Sequence, residues 1–91
     1  MTERLHVVVR GQVQGVGFRY STVHQAHALA LNGFVRNAHD GSVEAEFEGE
    51  RDALEAMLEW CRKGSTFSVV DAVEPTWDSG EPRYSDFTVR F

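Results

Sequence analysis

Between residues 11 and 19 the chain reads Gly11-Gln12-Val13-Gln14-Gly15-Val16-Gly17-Phe18-Arg19, a glycine-rich stretch that ends in a cation. Glycines let a backbone curl until successive N–H groups converge on one point, which makes an anion-binding nest. The pattern then turns helical, so the positive end of the helix dipole and its unpaired N–H groups face the same point. Arg19 falls in the first helical turn. Its planar guanidinium grips two phosphate oxygens at once and stays charged at any relevant pH. Loop amides, helix end and arginine together suit one small, doubly charged phosphate group. Taken alone, such a loop is more often a tight strand-to-helix turn beside a surface arginine. It lacks the Gly-Lys-Ser/Thr of a nucleotide P-loop, and its glycine spacing is not the dinucleotide fingerprint.

A second segment changes that balance. Gly33-Phe34-Val35-Arg36-Asn37 is followed by Gly41, Val43 and Gly49 across a predicted hairpin. Together the two segments resemble both signature stretches of the acylphosphatase family, G-x-V-Q-G-V-G-F-R and G-F-V-R-N, over nearly the whole chain. The resemblance implies hydrolysis of the mixed anhydride between a carboxylic acid and phosphoric acid. It assigns phosphate binding to Arg19 and the loop Gly15, Val16, Gly17 and Phe18, and water positioning to Asn37. It also implies that the water's proton passes to the substrate's own phosphate. Phe34 stands where the family commonly has tryptophan, Ala38 where a threonine often follows the asparagine, and Gly64-Ser65-Thr66-Phe67-Ser68 where many relatives carry proline and a basic residue. These departures bear on rate and substrate preference more than on reaction type.

The chemistry stands without the family. Phosphoryl transfer needs mainly positioning and charge stabilisation on the equatorial oxygens. A carboxylate leaves readily, so no strong general acid is called for. Asn37 is no base, but its amide offers donor and acceptor sites that can orient a water. No metal or other cofactor is required, and no ligand cluster suggests one.

The elements that must hold these residues follow from periodicity. Leu5 to Arg10 is a predicted strand, and Arg19 to Leu31 a helix whose stripe is Thr22, Ala26, Leu29 and Ala30. Asn32-Gly33 stops that helix in the manner of a C-cap glycine. Phe34 to Asn37 is a strand, Asp40-Gly41 a turn, and Ser42 to Glu48 the return strand. There Val43, Ala45 and Phe47 alternate with Glu44, Glu46 and Glu48, which predicts one buried face and one wet, acidic face. Asp52 to Lys63 is a helix with Leu54, Met57, Leu58 and Cys61 inward, stopped by Gly64. Val69 to Val73 and Phe87 to Phe91 are strands, and Glu74 to Ser85, with Pro75, Gly80 and Pro82, reads as strand end and loop. The order β-α-β-β-α-β predicts an α+β ferredoxin-like sandwich, with a four- to five-stranded antiparallel sheet and two helices on one face. That fold hosts enzymes, regulatory modules and RNA binders alike.

Composition narrows the field. Ninety-one residues make one domain, 1–91, with a modest core. Fourteen acidic against nine basic residues give a net charge of −5, so the global field repels nucleic acid. A ribonucleoprotein sheet would need exposed aromatics in a basic surround, where this chain has its row of glutamates. One cysteine excludes an internal disulfide. No signal peptide or membrane span is visible, so the expectation is a cytoplasmic protein. No obligate interface is evident, which makes monomer the default, and the resemblance implies a small-molecule acyl phosphate as its partner.

The other reactive residues have plainer readings. His24 and His27 are three apart on the first helix but lack a converging third ligand, which makes them surface histidines. His39 is a loop-entry residue that could share the face of Asn37, and His6 a strand-surface residue. Cys61 is a buried core thiol, and Trp60 and Trp77 are packing residues. A second reading remains open from sequence alone, a ferredoxin-like module that binds phosphate or acyl phosphate without turnover.

Overall fold

A computed structural model describes residues 1–91. The elements run β1 (Thr2–Gln12), α1 (Phe18–Ala28), β2 (Asn32–Asn37), β3 (Val43–Gly49), α2 (Arg51–Lys63), β4 (Val69–Gly80) and β5 (Phe87–Arg90). The sheet has five strands in the order β4-β1-β3-β2-β5. The ferredoxin-like sandwich expected from the sequence is therefore present, extended by one strand. That added strand lies parallel to β2, so the sheet is mixed, not purely antiparallel.

One face of the sheet is covered by both helices. Leu5, Val7 and Val9 of β1, Val35 of β2 and Val43, Ala45 and Phe47 of β3 meet Ala26 of α1 and Leu54, Met57, Leu58 and Cys61 of α2 in a single core. Alternation along each strand selects these residues for the helix side. Phe47 and Phe87 stack within it at 5.2 Å. No helix is long and apolar enough to cross a membrane.

The sequence reading of the first helix needs correction. Helix α1 ends at Ala28 with Leu29 as C-cap. Ala30 takes the left-handed conformation at φ 57°. The Leu31 amide then donates to the Ala26 carbonyl at 2.9 Å and the Ala30 amide to His27 at 3.1 Å, a Schellman closure with alanine where glycine is usual. Gly33, expected to stop the helix, sits inside β2. A side chain there would place its Cβ 1.8 Å from the Glu46 carbonyl oxygen, so glycine serves a close strand approach.

Two further expectations change. Strand β4 does not end near Val73 but continues through Pro75 to Gly80. It pairs only with β1 and forms the sheet edge, where a missing N–H costs no ladder bond. The glutamate row of β3 is not a solvated face. Glu48 is buried, with its carboxylate accepting from Arg4 Nε at 2.9 Å and from the Arg83 and Tyr84 amides at 3.0 and 3.2 Å. Glu46 accepts from the Tyr84 hydroxyl at 2.6 Å, and Glu44 pairs with Arg36 and with His6. These partners hold the Glu44 carboxyl below its usual range, the His6 bond being the largest cause. The segment after β4 folds back across this face and supplies donors that alternation alone does not reveal.

Candidate active site

The loop that follows β1 turns on Gly15 and Gly17, both left-handed, at φ 75° and 77°. This conformation is cheap for glycine and costly for other residues. Gly17 is the N-cap of α1, with no side chain capping the helix and no acidic residue in its first turn. The first N–H groups of a helix lack intrahelical partners, so this end is an open set of donors. Arg19 sits in that first turn. A cation here opposes the helix dipole, a local conflict of the kind that marks functional positions.

Arg19 is half-buried and has no carboxylate in ion-pair reach, unlike Arg4, Arg10, Arg36, Arg51, Arg62 and Arg83. Its guanidinium instead lies over the ring of Phe91 at 5.0 Å. Arg90 and Lys63 are likewise without a carboxylate partner, but of the three only Arg19 stands beside this uncapped helix end.

The second motif arrives from the adjoining hairpin. Asn37 is the last residue of β2 and pairs with Val43 of β3. It alternates with Arg36, which faces the helix-free side, and shares the helix side with Val35. Gln14 locks the two motifs together: its amide nitrogen donates to the Ala38 carbonyl at 2.8 Å and to the Ser42 carbonyl at 2.9 Å. Within the turn, Asp40 accepts from the Ser42 amide and hydroxyl at 3.0 and 2.6 Å and from Arg10 at 3.0 Å. These contacts push its carboxyl well below the usual range, the Ser42 hydroxyl being the largest cause.

The two motifs enclose a cavity of about 70 Å³ lined by Val13, Gly15, Gly17, Phe18, Arg19, Tyr20 and Asn37. The space is several times smaller than a drug-sized site, roughly 300–1,000 Å³, and suits a small group such as a phosphoryl. Asn37 contributes a further signal. Its Oδ1 is buried and accepts no hydrogen bond from the protein, which costs about 1–3 kcal/mol unless a donor is supplied.

Five of the residues predicted from sequence line this cavity together: Gly15, Gly17, Phe18, Arg19 and Asn37. The side chain of Val16 does not, since it packs against the core. Tyr20 and Val13 line the cavity without having been singled out, although Tyr20 is next to Arg19 in the first helical turn. The clamp made by Gln14 was also missed. Its bonds go to backbone carbonyls across the hairpin, and no side-chain pattern announces such contacts.

The remaining residues fall elsewhere. His39 is exposed in the turn, and His24 is exposed on α1. His27 lies against the Phe87 carbonyl at 3.2 Å and Asp86 at 3.5 Å. Burial pushes the Cys61 thiol up to about 12, far from a reactive thiolate. Trp60 packs on Phe18 at 5.5 Å, and Trp77 lies under the guanidinium of Arg51 at 3.7 Å.

A family model described as acylphosphatase matches residues 5–89. The chain belongs to the acylphosphatase family. An acylphosphatase of Trichormus variabilis is 54% identical over 78 residues, which is 86% of this chain and 77% of the relative. The crystal structure of acylphosphatase from Bacillus subtilis superimposes with a TM-score of 0.94 at 35% identity, covering 98% of this chain and 99% of the other. An acylphosphatase structure from Coxiella burnetii gives 0.91 at 40% identity, covering 98% and 93%. The acylphosphatase likeness thus spans both motifs and all the elements that carry them.

Proposed function

We propose that this chain hydrolyses the carboxyl–phosphate anhydride of acyl phosphates to a carboxylate and inorganic phosphate, with Arg19 and the amides of Gly15 to Phe18 binding the phosphoryl group and Asn37 positioning the attacking water. The observation that carries this reading is the pairing of an unspent cation with a partnerless buried acceptor around one cavity. An anion satisfies the first and a water hydrogen satisfies the second.

The steps follow from the chemistry. The amides and the guanidinium hold the equatorial oxygens and take up charge as it develops there. Water donates one hydrogen to Asn37 Oδ1, and its oxygen attacks phosphorus. The bond from phosphorus to the acyl oxygen breaks, and its electron pair leaves with the carboxylate. A carboxylic acid has a pKa near 4, so the leaving group needs no protonation. The water's proton passes to an oxygen of the phosphoryl group. Nothing in this sequence calls for a metal or cofactor.

The same reading makes residues 1–91 one domain, working as a cytoplasmic monomer on a small-molecule acyl phosphate without nucleic acid. Hydrolysis of benzoyl phosphate in the presence of a chelator tests it. Turnover that the chelator leaves intact supports the proposal. Phosphate binding by the folded protein without any turnover would favour a binding module instead.

A further inference from the structure

An acyl phosphate has two parts, and the cavity of about 70 Å³ between Arg19 and Asn37 has room for one. The acyl portion must lie outside it. Three larger hollows exist, of which one, of about 160 Å³ along β4, shares no lining residue with the cavity. Another, of about 790 Å³, is lined by Met1, Glu3, Glu50, Arg51 and Asp52 among others. It sits at the start of β1, whereas the phosphate loop follows the end of that eleven-residue strand, and its three carboxylates would repel an anion.

The third is a groove of about 440 Å³ lined by Tyr20, Ser21, His24, Gln25, Trp60, Gly64, Ser65 and Thr66. Its volume falls in the range of small-molecule sites, roughly 300–1,000 Å³. It adjoins the phosphate cavity directly: Tyr20 lines both, and Phe18 of the cavity stacks on Trp60 of the groove at 5.5 Å. Resting on the hydrolysis reading above, we propose that this groove is the subsite for the acyl portion and that it favours polar, acceptor-bearing acyl groups longer than acetyl.

The lining argues the chemistry. Only Tyr20 and Trp60 are aromatic, and the rest are hydroxyl, amide, imidazole or glycine. No carboxylate lines the groove, although the chain carries fourteen. Hydroxyl, amide and imidazole N–H groups donate to a carboxylate or carbonyl. Ser65 adds an independent mark. Its Oγ is buried without a hydrogen-bond partner, and the chain has only one other such side-chain atom, Asn37 Oδ1. The two unsatisfied polar groups thus belong to residues that line the two joined cavities. Unpaired buried groups are uncommon and call for a specific reason, and a two-part substrate supplies one for each.

The subsite lies partly in the loop that follows α2, through Gly64, Ser65 and Thr66. Selectivity among acyl groups is therefore the property that this loop would set.

The test compares acetyl phosphate, succinyl phosphate and benzoyl phosphate as substrates for wild type, Thr66→Trp and His24→Ala. Both residues are exposed, so neither change disturbs the core, and thermal melting verifies folding. Thr66→Trp fills the groove and lowers the succinyl-to-acetyl ratio of kcat/KM by about tenfold or more, on the scale of pocket discrimination. His24→Ala removes a donor and lowers the succinyl-to-benzoyl ratio by about threefold to tenfold through KM. Ratios unchanged in both variants would overturn the subsite. A folded wild type that turns over none of the three substrates would overturn the hydrolysis reading itself, and the subsite with it.

Discussion

The guanidinium carbon of Arg19 lies 5.0 Å from the centroid of the Phe91 ring. The ring is itself exposed and follows directly on β5, the strand parallel to β2. One edge of the sheet thus supplies a platform for the cation that the first helix presents. A π face attracts a guanidinium without neutralising it, so the charge stays available to a ligand, as a carboxylate partner would not allow.

On the proposal that Arg19 binds phosphate, removing that platform weakens the hold on it. A cation–π contact at an exposed site is worth about 0.5–1 kcal/mol, or about twofold to fivefold in affinity. Phe91→Ala is expected to raise KM for benzoyl phosphate and the inhibition constant of inorganic phosphate by that factor, while Phe91→Tyr restores both. Wild-type constants in Phe91→Leu would show that the ring's electrons are irrelevant.

The left-handed Ala30 offers a stabilising substitution. Alanine at φ 57° pays about 1 kcal/mol that glycine avoids. Ala30→Gly should raise the midpoint of urea unfolding by a corresponding amount and leave turnover alone, since the residue does not line the phosphate cavity. A lower midpoint would mean that the Schellman closure is not what ends α1.

Cys61 sets an alkaline limit on stability. Its thiol is pushed from an ordinary 9.0 up to about 12 by burial. Below about pH 9 it is protonated in both states, and its contribution is fully present. Between 9 and 12 the unfolded chain releases the proton while the fold retains it, so stability falls as pH rises. At about 1.4 kcal/mol per unit the loss is roughly 4 kcal/mol across that span. Unfolding free energy measured from pH 8 to 11 should slope downward in wild type and less steeply in Cys61→Ala. Tyr84, raised to about 12 first by desolvation and next by its bond to Glu46, accounts for a residual slope. Identical slopes in the two proteins would contradict this account.

Much of this was legible in the sequence for a physical reason. Apolar alternation in β3 and the inward stripe of α2 are local signals, and the phosphate loop and the Asn37 motif carry their chemistry in residue type. What escaped depends on contacts distant in sequence. Gly33 resembles a helix stop until β3 is seen against it, and Pro75 resembles a strand end until β4 proves to be an edge. Glu48 reads as exposed until Arg4 and the backbone of Arg83 and Tyr84 close over it. At the site, Arg19 and Asn37 were readable, whereas the Gln14 clamp and the Phe91 platform required the fold.

The central claim is a division of labour between Arg19 and Asn37, and one kinetic comparison tests it. Benzoyl phosphate turnover and competitive inhibition by inorganic phosphate would be measured for wild type, Arg19→Gln and Asn37→Ala. Arg19→Gln is predicted to lose about three orders of magnitude in turnover together with phosphate inhibition. Asn37→Ala is predicted to lose about 10²–10³ in kcat while inhibition by phosphate persists. Near-normal turnover in Arg19→Gln, or loss of phosphate inhibition in Asn37→Ala, would contradict the account.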